Sequence, residues 1–210
     1  DLGVHLDAHS HESGAYNYTD VAHLMDSLGV GGSTIIGGHV WDPALPQFAA
    51  WDRFRVPVQG QTYRWAWWRG EVLMGSGTPN HVNDPLVSGV WHPQDRDHYF
   101  TDDPAGNIAA IGQYKGSLDD IAELRALYED GQVAWTHMLT TNYHIKPGMI
   151  TATGGLQGIE DTLLVPAAAY RDAGLCVPTD FTSLVATWRT TFGGQGFLYD
   201  AAAVAAVAPP

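Results

Sequence analysis

The first 36 residues of the chain hold two strand patterns separated by one amphipathic helix pattern, and this order strongly restricts the fold. Residues 2–6 alternate between apolar and other residues, and residues 33–36 (Ser-Thr-Ile-Ile) stand between glycine pairs, so both segments predict short strands. Between them lies a polar loop over residues 7–18 and a helix over residues 20–28, whose apolar stripe ends at Gly29. A strand, a helix and a strand in this order indicate a βαβ unit and a protein of the α/β class.

The second half of the chain predicts more elements of the same class. Helices are predicted over residues 118–129, 160–173 and 181–190, the first capped by Ser117 and the last introduced by Asp180. Short strands are predicted over residues 132–136 and 176–177, and a loop rich in glycine and threonine is expected between His137 and Gly158. This succession is typical of the tail of an α/β barrel or a wound sheet.

The middle of the chain, residues 39–116, is rich in tryptophan, proline and glycine and has little sustained periodicity. It predicts long loops with short strands, where binding residues tend to lie. Its aromatic residues follow strand-like spacing, and exposed aromatic rings stack on sugar rings, so they are candidates for a substrate wall; the alternative is that they form the core of an irregular insert. These residues are Tyr63, Trp65, Trp67, Trp68 and Trp91. Further polar candidates, which no motif ranks, are Asn80, His81, Asn83, Asp84 and His92.

Composition excludes several classes of protein. With 210 residues, one domain is expected, and its apolar runs are too short to span a bilayer. The formal net charge of −13 would repel a phosphate backbone, which argues against nucleic acid as a partner. Cys176 is the only cysteine, so an internal disulfide and a cysteine zinc cage are both excluded. A metal would therefore need histidine and carboxylate ligands.

The densest group of potential ligands is His5-Leu-Asp-Ala-His-Ser-His-Glu12. Imidazoles four residues apart at the turn from a strand to a loop can converge on one ion, and neutral imidazole suits zinc and related metals, so His5 and His9 form a candidate pair. The same segment also contains His9-x-His11, the spacing found in barrel metal hydrolases at the end of a first strand. A third interpretation is a polar loop whose histidines bind the backbone.

The segment Asp1-Leu-Gly-Val-His-Leu-Asp-Ala-His9 resembles the second motif of polysaccharide deacetylases (the NodB homology group, or carbohydrate esterase family 4), which typically has Glu-Ile-Gly-Asn-His-Thr-x-x-His. In that family the two histidines bind a divalent metal, usually zinc, and they correspond to His5 and His9. Leu6 stands where the family usually has threonine. The resemblance implies a distorted (β/α) barrel of the glycoside hydrolase and deacetylase type.

A second stretch resembles the family in the right order. Val133-Ala-Trp-Thr-His137 resembles the late strand that ends in the catalytic histidine, and residues 161–188 resemble the elements that follow it. The resemblance makes His137 the general acid that protonates the leaving amine, at the carboxyl end of its strand and facing His5 and His9. Together the two stretches cover less than half of the chain.

Two elements of the family pattern are not found. The Asp-Asp motif that supplies a metal ligand and the base would lie upstream of Asp1, and residues 55–60 match the Arg-x-Pro-x-Gly motif only poorly. Either Asp7 or Glu12 would have to substitute for the missing carboxylate, or the site is degenerate. Because a cluster of polar residues so near the start is unusual, we expect the first strand or strands of the domain to precede Asp1.

These observations predict a single deacetylase-like α/β domain over residues 1–200, including the 39–116 insert, and an alanine-rich tail over residues 201–210. The expected function is that of a secreted, metal-dependent hydrolase, extracellular or in the cell envelope, that removes acetyl groups from a carbohydrate or related polymer by cleaving C–N or ester bonds. The expected catalytic residues are His137 and Asp7, and the expected metal ligands are His5 and His9, with zinc as the cofactor. The expected substrate-binding residues lie beside the metal at the mouth of the barrel, and they are Trp65, Trp67, Trp91 and His81. Two alternatives stay open: a degenerate, non-catalytic glycan-binding or structural protein, and an amidohydrolase or PHP-type metal hydrolase that uses His9 and His11.

Overall fold

The fold is built around one six-stranded sheet. The computed structural model describes residues 8–10, 28, 35–38, 72–74, 86–94, 98, 100–106, 109–143, 145, 147–152 and 154–203, and for the first three strands it describes the backbone. The strands are β1 (Ala8–Ser10), β2 (Ile35–Gly38), β3 (Val72–Met74), β4 (Val87–Trp91), β5 (Ala109–Ile111) and β6 (Phe197–Asp200). Their order in the sheet is β1-β2-β3-β5-β4-β6.

Strand direction divides the sheet into a parallel part and an antiparallel part. Strands β1, β2, β3 and β5 are parallel neighbours, whereas β4 runs antiparallel to both β5 and β6. It follows that β6 has the same direction as the four parallel strands. The carboxyl ends of these five strands therefore share one edge of the sheet, which we call the carboxyl edge.

The parallel pairing of β1 with β2 fits the predicted βαβ unit. The strand at β1 lies at Ala8–Ser10, within the predicted loop, while the strand predicted over residues 2–6 lies outside the described residues. The helix predicted between the two strands also lies outside them, except for Leu28 in a turn. The closed barrel stays a prediction.

Helices occupy most of the chain after residue 118. They are α1 (Asp119–Glu129), α2 (Pro147–Ala152), α3 (Gly155–Ile159), α4 (Val165–Asp172) and α5 (Phe181–Thr191). A π-helical turn, Glu160–Leu164, joins α3 to α4, and there the Val165 N–H donates to the Glu160 carbonyl five residues back. Pro166 follows directly. It has no N–H to donate to the carbonyl four residues back, so regular α-helical bonding is interrupted where the π turn ends.

The ends of α1 and α5 follow from local side-chain chemistry. The Ser117 hydroxyl accepts a bond from the Asp119 N–H, while the Ser117 N–H donates to the Asp120 carboxylate at 2.9 Å. At α5, the Asp180 carboxylate accepts from the Ser183 N–H at 2.8 Å. Both arrangements satisfy N–H groups that lack a partner in the first helical turn. The helices predicted over residues 118–129 and 181–190 are thereby confirmed to within one residue at each end.

Three predictions for the second half are wrong. Residues 132–136 form turns and bends instead of a strand, and residues 176–177 form no strand. The expected loop before Gly158 contains α2 and α3, so the helix predicted from residue 160 begins at Gly155. Strand β6 had no counterpart in the sequence pattern, because its pairing partner is β4, more than a hundred residues earlier in the chain.

Two clusters of buried side chains join the helices to the sheet. In one, Val185 and Trp188 of α5 pack with Val90, Ala109 and Ile111 of the sheet. In the other, Leu124 and Leu127 of α1 pack with Tyr114 and Val133. Complete burial of each large apolar side chain is worth about 1.5–3 kcal/mol, so these contacts fix α5 on β4 and β5, and α1 on Tyr114 and on the partly buried side chains of β6.

No helix within the described ranges has the length and apolar character needed to cross a membrane.

Candidate functional site

The carboxyl edge of the sheet carries the strand with the predicted metal ligand His9. Strand β1 pairs with β2 so that His9 lies beside Gly37 and Ser10 beside Gly38. Glycine within a strand often marks a place where a ligand or another backbone comes close, because it has no side chain. His9 is one residue from the carboxyl end of β1, and in parallel α/β sheets ligands collect beyond these ends.

The other members of the predicted metal site lie outside the described residues. They are His5 and Asp7, together with His11 and Glu12. Among the side chains that the structure describes, no group of three or more histidine, cysteine or carboxylate residues could hold a metal ion. The pairing of His5 with His9 therefore stays a prediction.

A buried polar network supports the part of the carboxyl edge next to β5. The Ser88 hydroxyl donates to the Thr140 carbonyl at 2.7 Å and accepts from the Thr140 N–H at 2.8 Å. The Thr140 hydroxyl lies within hydrogen-bond distance of the carbonyls of Gly89 and Gly112, at 3.0 and 2.8 Å, and accepts from the Gly89 N–H. These bonds hold the chain after His137 against both β4 and β5.

Gln113 stands just beyond the carboxyl end of β5, and its side-chain oxygen is buried without a hydrogen-bond partner in the described part of the chain. Its backbone carbonyl accepts from the Asn142 N–H at 3.3 Å. Nearby, the buried Asp120 carboxylate accepts from the Thr141 hydroxyl at 2.9 Å. An amide oxygen without a partner at this edge can accept a bond from a ligand or from water. The sequence pattern gave no signal for Gln113, because nothing local distinguishes it.

Tyr114, Lys115 and Glu123 form a charged cluster beside Gln113. The Tyr114 hydroxyl donates to Glu123 at 3.1 Å, and the Lys115 ammonium lies 2.6 Å from the other carboxylate oxygen. Burial, and then the bond to Glu123, raise the pKa of Tyr114 well above its ordinary value, whereas the bond from Lys115 holds the pKa of Glu123 below its own. The phenol therefore stays a hydrogen-bond donor and the carboxylate stays ionised, which suits a structural role.

His92 and Asp102 form a second polar group, at the opposite edge of the sheet. His92 directly follows β4, and because β4 is antiparallel to its neighbours, its carboxyl end lies away from the carboxyl edge. One Asp102 oxygen accepts from the His92 N–H at 2.9 Å and lies 3.5 Å from the ring Nδ1, while the ring centroid is 4.9 Å from that of Trp188. The hydrogen bond from Asp102 holds the backbone of His92, whereas the ring Nδ1 is buried without a hydrogen-bond partner among the described atoms.

His137, the predicted general acid, does not have the expected surroundings. Since residues 132–136 are not a strand, His137 is not at a strand end. Its ring stacks on Phe197 with a centroid distance of 4.1 Å and an angle of 10° between the planes, and its Nδ1 is buried without a hydrogen-bond partner among the described atoms. Phe197 pairs with Val90, and Val90 pairs with Ile111 at the end of β5, so Phe197 lies level with the carboxyl ends of β3 and β5. The predicted strand end at His137 is wrong, while its position facing His5 and His9 and its catalytic role stay predictions.

Of the aromatic residues and His81 predicted to bind substrate, the structure describes only Trp91. Trp91 is 1% exposed and lies in the core, so a role as a sugar platform does not fit its burial. Trp65, Trp67 and His81 lie outside the described residues, as do Tyr63 and Trp68. Trp135, which the sequence pattern did not single out as a binding residue, is 59% exposed. It lies in a segment predicted as a strand, which concealed its exposed position on a turn.

Comparisons with known proteins add no relative to this description. No family model, no curated protein and no solved structure matches the chain. The resemblance to polysaccharide deacetylases rests on the residues quoted for it.

Proposed function

We propose that this protein is a metal-dependent hydrolase that removes acetyl groups from a carbohydrate or related polymer. The observation that carries the proposal is the His5-x-x-x-His9 motif on a chain whose β1 bears His9 next to the carboxyl edge. The partner of His9 in β2 is Gly37, and glycine within a strand often marks the close approach of a ligand. Imidazole nitrogen is a suitable donor for zinc, so the residue types also fit.

In this proposal His5 and His9 hold a divalent metal, with zinc as the best candidate. The ion that these two histidines would hold would supply polarisation of the acetyl carbonyl and a lower pKa of bound water. Asp7, between the two histidines in the sequence, accepts the proton of the attacking water. A histidine then donates a proton to the leaving nitrogen or oxygen of the sugar.

Two histidines compete for the role of the acid. His137 has the family resemblance, whereas His92 has a carboxylate oxygen 3.5 Å from its ring Nδ1 but lies at the edge of the sheet opposite the carboxyl edge. The ring of His137 lies against β6, five positions from β1 in the sheet order. At about 4.8 Å per strand, a flat sheet would separate β6 from β1 by about 24 Å, so catalysis by His137 requires the sheet to curve until the two strands approach. The proposed barrel would provide this curvature.

The first test measures metal content and acetate release together. The protein is incubated with zinc and then with acetylated xylan or an N-acetylglucosamine oligomer. We expect one zinc ion per chain and released acetate, both lost in His5→Ala and His9→Ala and both retained in the control His98→Ala, whose residue is exposed. Zinc binding without acetate release from either substrate would favour the non-catalytic glycan-binding alternative. Metal binding that depends on His9 and His11, but not on His5, would favour the amidohydrolase alternative.

The second test separates the two candidate acids. Loss of a general acid typically slows turnover by about 10²–10⁴-fold, and a residue that is not a ligand leaves the zinc content unchanged. The proposal expects this pattern for His137→Ala and near-normal turnover for His92→Ala. The reverse result would transfer the role to His92, and loss of zinc in His137→Ala would make His137 a ligand.

A further inference from the structure

The strongest feature outside the proposed catalytic site is an exposed tryptophan that is held flat against helix α1. Trp135 is 59% exposed, more than any other described tryptophan or tyrosine. The next most exposed is Tyr143, at 40%. Its indole stacks on the Tyr128 ring with centroids 4.5 Å apart and planes within 15°. The Arg125 guanidinium lies 4.8 Å from the indole. Arg125 and Tyr128 are three residues apart on α1, so both reach the indole from the same helix face, and more than half of Trp135 stays exposed to solvent.

The support beneath this indole is itself fixed. The Tyr128 hydroxyl donates to the His137 carbonyl at 2.8 Å and accepts from the Leu139 N–H at 2.9 Å. The Arg125 guanidinium is held by Glu129 at 2.7 Å. The turn that carries Trp135 is anchored by Val133, which is buried and donates its N–H to the Leu127 carbonyl. A ring fixed in this way loses little conformational entropy when a ligand stacks on it.

We infer that the outer face of Trp135 is a stacking platform for a pyranose ring of a neutral or amino-sugar polymer. The C–H face of such a ring is flat and apolar, and its rim of hydroxyl groups needs polar partners, which the Arg125–Glu129 pair provides beside the indole. A chain with a formal net charge of −13 disfavours an anionic polymer.

The surroundings of Trp135 do not suit a protein partner. A stable protein interface needs about 800 Å² on each side, and charged residues other than arginine are depleted at its centre. Here the arginine over the indole is paired with Glu129, whose carboxylate is more than half exposed. A single aromatic face within a polar rim matches the size of one or two sugar rings.

The choice of a carbohydrate as the ligand rests on the proposed function, but the platform is separate from the predicted catalytic residues. It would hold one part of a polymer while another part reaches the site. The platform should therefore contribute to binding of the polymer and leave the reaction of a short substrate unchanged.

The test is affinity electrophoresis of the protein through gels that contain glycol chitin or acetylated xylan, with plain gels as reference. We expect retardation of the protein in at least one polysaccharide, a weakening of the affinity by about tenfold in Trp135→Ala, and partial retention in Trp135→Phe. Tyr143→Ala, which removes an exposed aromatic residue elsewhere, should behave like the wild type. Thermal melting checks that each variant is folded.

Three outcomes would overturn the inference: no retardation of the wild type in either gel, equal retardation of Trp135→Ala, or a dimer on size exclusion that Trp135→Ala converts to a monomer. Acetate release from a short acetylated sugar distinguishes this failure from failure of the proposed function. Retardation through Trp135 without acetate release would leave the platform in place and reject the enzyme. Acetate release together with equal retardation of Trp135→Ala would support the proposed enzyme and reject the platform.

Discussion

Thr140 connects three parts of the backbone through one side chain. Its hydroxyl lies close to the carbonyls of Gly89 and Gly112, and its own backbone is bonded to the Ser88 hydroxyl. A buried hydroxyl of this kind is costly to remove because its partners are then left unsatisfied in the interior. The residue therefore has a larger effect on stability than its size suggests.

Thr140→Val tests this role, since valine has nearly the same shape but no hydroxyl. We expect the free energy of unfolding to fall by about 1–3 kcal/mol, measured by urea denaturation. Thr190→Val is the matched control, because the Thr190 hydroxyl also bonds to a backbone carbonyl but is exposed, and its loss should cost less than about 0.5 kcal/mol. Equal effects of the two substitutions would contradict a special role of Thr140.

The Lys115–Glu123 pair predicts a dependence of stability on pH. Because the folded state lowers the pKa of Glu123 below its ordinary value of 4.5, the carboxylate stabilises the fold above that pH and the contribution is lost as the pH falls through the folded pKa. The difference in unfolding free energy between the wild type and Glu123→Gln should therefore be constant above about pH 5.5 and shrink below pH 4.5.

Lys115→Met should produce the same loss of pH dependence, because it removes the main cause of the lowered pKa. Denaturant titrations from pH 3 to pH 7 would measure all three proteins. A difference between the wild type and Glu123→Gln that grows as the pH falls would show that the sign is wrong.

Among the elements, the strand β4 depends on a single glycine. Gly89 has a φ of +120°, and a Cβ at this position would lie 2.3 Å from the Phe197 carbonyl oxygen of β6. Any side chain would therefore push β6 away from β4 and would also strain the backbone. The small residue is needed for the two strands to pair.

Gly89→Ala should destabilise the protein by more than about 3 kcal/mol, measured by thermal or urea unfolding. Gly131→Ala is the control for backbone strain alone, since Gly131 has a φ of +71° but nothing within 4 Å of an added Cβ, and it should cost about 1 kcal/mol. Similar losses for the two variants would mean that the contact with Phe197 is readily relieved.

Sequence patterns predicted the elements whose causes are local. The ends of α1 and α5 are set by Ser117 and Asp180 within three residues of each helix start, and these patterns were sufficient. Strand β6 depends on a partner about a hundred residues away, and the turn at Trp135 depends on specific hydrogen bonds with α1, and hydrophobic periodicity contains neither. For the site, the sequence singled out His9, but Gln113 and the His92–Asp102 pair become distinctive only through burial and contacts made by the fold.

At the scale of the whole molecule, charge is the dominant property. Asp and Glu number 23 against 10 Lys and Arg, so like charges repel one another across the surface. Such repulsion destabilises the compact state, and salt weakens it over a Debye length of about 8 Å at 0.15 M.

We therefore expect the melting temperature at pH 7 to rise by about 2–5 °C when sodium chloride increases from 10 mM to 150 mM. Differential scanning calorimetry would measure the shift. Near pH 5, close to the pI of about 4.9, the net charge is small and the same salt step should have little effect. A salt effect of equal size at both pH values would argue against net-charge repulsion as its origin.

The π-helical turn at Glu160–Leu164 has an evolutionary consequence. A π turn is what results when one residue is inserted into an established α-helix and the surrounding packing is retained. Homologues that lack a proline at the position of Pro166 should therefore include chains with one residue fewer between Gly158 and Asp172. An alignment gap of one residue in this helix would identify the insertion.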